Sequence, residues 1–308
     1  MATTIARCSV LDAIGNTPLL ELTRIVPPGC ATILAKAEFM NPGGSVKDRI
    51  ARHIIERAEV TGKLRPDSTI LEVTSGNTGI AMSMVGAEKG YRVRIMMPAS
   101  ASVERRRMIE SYGAELELIE SVLHINDARR EAESRAARDS RIFLPRQFEN
   151  PDNPAAHRET TGREILEQTG GDVDAFVMGV GTGGTLMGVA EALRTVRPKV
   201  QIVAVEPAES AVMSGGQPGH HGIQGLADGF IPDIVRLSAI DRIITVSTPD
   251  AIAMAKRIAR EEALFVGISA GANIVAALQV AADLGPEKRV VTILPDRGER
   301  YLSVWSAN

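Results

Sequence analysis

Short apolar runs alternate with longer amphipathic stretches along most of the chain. Thr69–Val73 (TILEV), Tyr91–Met97 (YRVRIMM), Glu115–Ile119, Ala175–Val180, Val200–Val205 and Val290–Leu294 read as strands. Gly79–Lys89, Ser102–Tyr112 and Thr185–Thr195 read as the helices between them. Strands rich in β-branched residues that alternate with helical segments predict an α/β fold, with parallel sheets covered by helices. The polar run Glu149–Pro154 (ENPDNP) is the best candidate for a boundary or hinge, and Gly215–Gly222 (GGQPGHHG) for a long loop. No repeat with a period of about 20–50 residues and no low-complexity segment interrupts the pattern. In open α/β sheets ligands bind beyond the carboxyl ends of the strands, so the loops that follow these strands carry the most interest.

Length and charge narrow the class. At 308 residues the chain suits one large domain or two ordinary ones. A net charge of −3 gives no general attraction for nucleic acid. Two cysteines, Cys8 and Cys30, with no CxxC, exclude a disulfide framework and a cysteine-based zinc site, and they fit a reducing compartment. The start, MATTIARCSVLDAIG, lacks the basic-then-apolar pattern of a secretory signal. No apolar run reaches the ~18 residues of a membrane span. These features lead to the expectation of a cytoplasmic enzyme, acting on small molecules and engaging neither nucleic acid nor membrane.

Candidate chemistry sits in glycine-rich loops. Val177–Thr185 (VMGVGTGGT) joins a strand to a helix, where backbone N–H groups and the hydroxyls of Thr182 and Thr185 make a phosphate cradle. The same stretch fits GxGxxG as Gly179, Gly181 and Gly184, and Glu206 ends the next strand where a dinucleotide site wants an acid. NAD, a phosphate-bearing cofactor and a structural turn all remain open at this loop. Gly267–Gly271 (GISAG) matches the hydrolase elbow GxSxG, but all five histidines (His53, His124, His157, His220, His221) precede Ser269, whereas that chemistry needs one after it. Thr74–Gly79 (TSGNTG) is a third donor-rich strand-to-helix loop, suited to a carboxylate. Three such loops favour a shared polyanionic ligand. Lys47 then decides between cofactors. It follows the turn Asn41–Gly44 (NPGG) and opens an amphipathic stretch, so it can be desolvated toward a reactive free amine. A nucleophilic lysine plus a phosphate cradle is what pyridoxal 5'-phosphate requires, whereas NAD requires no such lysine.

In chain order, IGNTPLLEL (Ile14–Leu22), NPGGSVKDR (Asn41–Arg49), TSGNTG, GTGGT, AVEPAES (Ala204–Ser210), IQGLADGFIP (Ile223–Pro232), GISAG and ILPDRGERYLS (Ile293–Ser303) together resemble the cysteine synthase (O-acetylserine sulfhydrylase) family, over nearly the whole chain. The resemblance implies a fold type II pyridoxal-phosphate enzyme, with two parallel-sheet α/β domains and the cofactor in the cleft between them. It divides the chain into a smaller domain (1–12 and 36–150) and a larger one (13–35 and 151–308). It makes Lys47 the catalytic residue, which carries the cofactor and acts as general base at Cα. Asn77 would meet the ring hydroxyl, and Gly181, Thr182, Gly183, Gly184 and Thr185 the phosphate. Ser269 would hydrogen-bond an unprotonated ring nitrogen. Thr74, Ser75, Gly76, Asn77, Thr78 and Gln147 would hold the substrate carboxylate, and no metal takes part.

The implied reaction converts O-acetyl-L-serine and sulfide to L-cysteine and acetate, in a homodimer that a serine acetyltransferase C-terminus can visit. O-phosphoserine sulfhydrylase and cystathionine β-synthase share the fold and remain alternatives. An NAD-dependent oxidoreductase is the remote one. The chain departs from the family at Ala99–Ala101, at Ser121–Asp127, and at Arg297, where serine is usual. Gly222–Phe230 holds Asp228 and no Lys or Arg, which predicts a preference for O-acetylserine over the doubly charged O-phosphoserine.

Overall fold

Two sheets, one of six strands and one of four, build the molecule, a computed structural model that describes residues 8–120 and 125–305. The first two strands, β1 (Leu19–Leu22) and β2 (Thr32–Lys36), pair antiparallel, with Leu19 opposite Lys36. The chain then crosses to the smaller sheet through α1 (Lys47–Val60), β3 (Thr69–Val73), α2 (Asn77–Lys89), β4 (Arg92–Pro98), α3 (Val103–Ser111), β5 (Glu115–Ile119), α4 (Ile125–Arg138) and β6 (Ile142–Phe143). It returns through α5 (Asp152–Glu159) and α6 (Thr161–Thr169). The larger sheet is completed by β7 (Ala175–Gly179), α7 (Gly184–Val196), β8 (Gln201–Pro207), β9 (Arg242–Val246), α8 (Thr248–Glu261), α9 (Ile268–Leu284) and β10 (Arg289–Ile293), and α10 (Leu302–Trp305) follows.

The strand orders are β1-β2-β10-β7-β8-β9 and β5-β4-β3-β6, and every pair except β1–β2 is parallel. All five residues of β7 are buried, as are the last four of β3, as expected for strands covered on both faces. In each sheet the order reverses at one strand: β3 lies between β4 and β6, and β7 between β8 and β10. Such switch points open a crevice at the carboxyl ends of the strands. The loops after β3 and β7 are the donor-rich loops Thr74–Gly79 and Gly181–Thr185.

The polar run Glu149–Pro154 lies where the chain leaves the smaller sheet for α5, which begins inside it at Asp152, and Asn153 is fully buried. Its amide donates to Gln147 O (2.7 Å) and Thr182 Oγ1 (3.0 Å), so its polarity serves a buried tether. Of the departure Ser121–Asp127, residues 121–124 lie outside the described residues. No helix among the described residues is long and apolar enough to cross a membrane.

Candidate active site

Lys47 is the first residue of α1, and the turn before it is tightly held. Asp48 Oδ2 accepts from Gly43 N (2.6 Å), Gly44 N donates to Asn41 O (2.7 Å), and Val46 N donates to Pro295 O (2.9 Å). Ser45 bridges to Asp296, which ties the turn to the C-terminal motif. Lys47 therefore enters the cleft at a fixed point, and its ammonium has no hydrogen-bond partner among the described residues. Burial pushes its pKa down, partly offset by the carboxylates of Asp228 and Asp296. Asp228, from the loop before β9, lines the same cleft. Burial pushes its carboxyl up, opposed by Lys47, His221 and Arg129.

The loop after β3 forms one wall: Thr74, Ser75, Gly76, Asn77 and Thr78 line the cleft together with Gln147. Thr78 Oγ1 donates to Gln147 Oε1 (2.6 Å), and Gln147 Nε2 donates to Glu72 (2.9 Å). Burial without a cation in hydrogen-bond contact pushes Glu72 up to about 8, so it is largely neutral at pH 7. Asn77 lines the cleft, but both ends of its amide are engaged. Nδ2 donates to Asp296 (2.7 Å), and Oδ1 accepts from Arg300.

The loop after β7 forms the facing wall. Gly183 has φ +83° and gives α7 no side-chain cap. A Cβ at Gly181 would collide with Gly225 O, one at Gly183 with Val235, and one at Gly184 with Asn153. Only glycine leaves the backbone able to close on an anion there. Thr182 Oγ1 accepts from Asn153, and Thr185 Oγ1 lies 3.2 Å from His157 Nε2. His157 is held neutral, its pKa pushed well down first by burial and then by the charges of Arg49 and Lys47. Ser269, in the first turn of α9, is buried, lines the cleft, and has a hydroxyl with no partner among the described residues.

These features fit pyridoxal phosphate: an uncommitted amine, an uncapped glycine-rich helix start, and a free buried hydroxyl. They do not fit NAD, because Glu206 accepts from Met213 N (2.8 Å), Ser214 N (3.0 Å) and Ser214 Oγ (2.5 Å) and does not line the cleft. No group of three or more His, Cys, Asp and Glu able to hold a metal occurs among the described residues. Four participants escaped the sequence reading, namely Glu72, Asn153, His157 and Arg105. Gly222–Phe230 has no Lys or Arg of its own, and Arg105 supplies a cation beside it. This arginine reaches from α3 to hydrogen-bond Gln224 and lines the cleft. Arg297, by contrast, is exposed and donates to Phe39 O (2.8 Å), outside the cleft lining.

Residues 10–296 match the family model of pyridoxal-phosphate dependent enzymes. The chain belongs to that family: it is an enzyme whose cofactor is pyridoxal phosphate. It is 48% identical over 296 residues to a cysteine synthase of Staphylococcus aureus, covering 96% of this chain and 95% of that one. A crystal structure of cysteine synthase from Entamoeba histolytica superposes with a TM-score of 0.91 at 43% identity, over 98% of this chain and 92% of that one. One of O-ureido-L-serine synthase gives 0.92 at 45% identity, over 97% and 94%.

Proposed function

We propose that this protein makes L-cysteine by replacing the acetoxy group of O-acetyl-L-serine with sulfide. The carrying observation is the meeting, in one cleft, of an unpartnered lysine with donor-rich loops from both sheets, in a chain nearly half identical to curated cysteine synthases. Bound pyridoxal phosphate supplies an electron-withdrawing ring that acidifies the substrate Cα–H and lets the β-substituent depart. The chain's own residues divide the remaining work. Gly181, Thr182, Gly183, Gly184 and Thr185 hold the phosphate, Ser269 donates to the ring nitrogen, and Asn77 orients the ring. Lys47 anchors the cofactor. Once freed, its amine takes the proton from Cα and later returns it. Thr74, Ser75, Gly76, Asn77, Thr78 and Gln147 hold the carboxylate. At Cβ the C–O bond breaks with its electron pair leaving on acetate, and the C–S bond forms with the pair of hydrosulfide.

The same reading carries the division into residues 1–12 with 36–150 and 13–35 with 151–308. It also carries a cytoplasmic homodimer and a serine acetyltransferase C-terminus as a docking partner. The test is direct. The protein, loaded with cofactor, is given O-acetylserine and sulfide, and cysteine and acetate are quantified. Equal formation of both is expected. A higher kcat/KM with O-phosphoserine, or with homocysteine in place of sulfide, would overturn the assignment. Sedimentation of the loaded protein tests the dimer.

A further inference from the structure

One cation in the cleft is left unused by this scheme. Arg105 is only 3% exposed, and among the described residues it makes no ion pair. Its stem and guanidinium occupy the space beside Gly76, where a Cβ would lie 2.7 Å from Arg105 Cδ and 2.8 Å from Nε. Its Cζ sits 4.9 Å from the centre of the Tyr301 ring. Nη1 donates to Gln224 across the cleft, and Nε, fully buried, has no partner. Two other deeply buried guanidinium groups have all-round partners: that of Arg49 is held by Glu38 and Glu164, and that of Arg300 donates to Asn77 and to Gly43 O. A buried cation without a carboxylate is costly, so its retention beside a reaction centre points to an anion that arrives as ligand.

We infer that Arg105 is the specificity-determining residue that receives the anionic second substrate, hydrosulfide in the reaction proposed above. The amino-acid carboxylate already has the loop after β3 and Gln147. Lys47 is committed to the cofactor and to Cα. With Lys47 so committed, Arg105 is the remaining cation among the lining residues. Its contact with Gln224 lies next to exposed Gly225, on the solvent-facing side of the cleft. A planar fork with an uncommitted donor draws an anion inward and holds it near Cβ.

The inference rests on the proposed activity, and its test separates the two. Cofactor-loaded parent, Arg105→Gln and Arg105→Lys are assayed with each substrate varied in turn. Nitrate, an inert monoanion, is titrated into each by calorimetry. The Gln variant should raise KM for sulfide roughly 10- to 100-fold, leave KM for O-acetylserine within about two-fold, and lose nitrate binding. The Lys variant should recover part of both losses, since it keeps the charge without the fork. In the parent, nitrate should compete with sulfide and not with O-acetylserine, a result that needs no variant to fold. A rise in KM for O-acetylserine alone, or nitrate competing with O-acetylserine, would place the anion on the first substrate and overturn the inference. Unchanged constants would reduce Arg105 to a structural role and overturn it as well. A parent that forms no cysteine yet binds nitrate through Arg105 would sink the proposed activity and leave the anion site standing.

Discussion

A lysine amine is a nucleophile and base only when unprotonated, and water normally keeps it charged. Lys47 has no hydrogen-bond partner for its amine among the described residues, and burial lowers its pKa while Asp228 and Asp296 keep it from falling further. Lys47→Ala should remove this amine without touching the phosphate loop. Borohydride reduction and peptide mapping should find the pyridoxyl group on the Lys47 peptide of the parent and on no peptide of the variant. Activity should fall at least ~100-fold. A pyridoxyl group on another lysine of the parent would relocate the site. Glu72 shows the opposite case, a carboxyl kept neutral by burial. Its folded pKa of about 8 exceeds the ordinary 4.5, so between those values the folded chain holds a proton that the unfolded chain has released. Its contribution to stability is therefore full below about pH 4.5 and is lost as pH rises through about 8. Glu72→Gln keeps an acceptor for Gln147 but has nothing to ionise. In urea titrations the variant should gain on the parent steadily from pH 5 to pH 8.5. A difference that does not change with pH would mean that Glu72 does not titrate in that range.

At the scale of elements, a helix start becomes an anion site only if nothing else caps it and the backbone can come close. Gly183 meets both conditions, with φ +83° and Val235 filling the volume a side chain would need. Gly183→Asp adds left-handed strain, crowding and like charge at once. It should weaken binding of pyridoxal phosphate to cofactor-free protein by roughly 10- to 100-fold in a titration. Unchanged affinity would mean that the loop serves another ligand. What the sequence made legible follows the same physics. Strand β7 (AFVMG) is buried on both faces and appears as an unbroken apolar run, β3 (TILEV) is broken only by Glu72, and the loops after both stand out by their glycines and hydroxyls. α9 is apolar nearly all round because it is buried nearly all round, so no amphipathic stripe marks it. β2 ends in Lys36, whose charge hides a buried strand; only the fold reveals Glu164 2.6 Å away. Arg105, Glu72 and Asn153 act through partners 119, 75 and 29 residues distant, and no local pattern carries such pairings.

For the whole molecule, the cleft keeps its shape only if α1, which presents Lys47, is fixed to the larger sheet. A buried charge cluster does this. Arg49 of α1 donates to Glu38 through Nε (2.7 Å) and to Glu164 through Nη1 (2.6 Å), and Lys36 reaches Glu164 from β2 (2.6 Å). Burial alone would raise the carboxyl of Glu164. The hydrogen bonds and charges of Arg49 and Lys36 outweigh it and hold the pKa at about 2, against the ordinary 4.5. Because the folded pKa is depressed, this stability is present above about pH 4.5 and is lost as pH falls toward 2. Arg49→Met keeps much of the side-chain volume and leaves Glu38 without its cation. It should cost about 3–5 kcal/mol at pH 7, as when one partner of a buried pair is removed. In the variant Glu164 keeps only Lys36, so its folded pKa rises and the variant has less stability to lose on acidification. Urea unfolding of cofactor-loaded parent and variant at pH 7, 4 and 3 should show the gap closing as pH falls. A gap that stays constant across that range would mean that Arg49 stabilises the junction by packing alone, and that the orientation of α1 does not depend on the charge cluster.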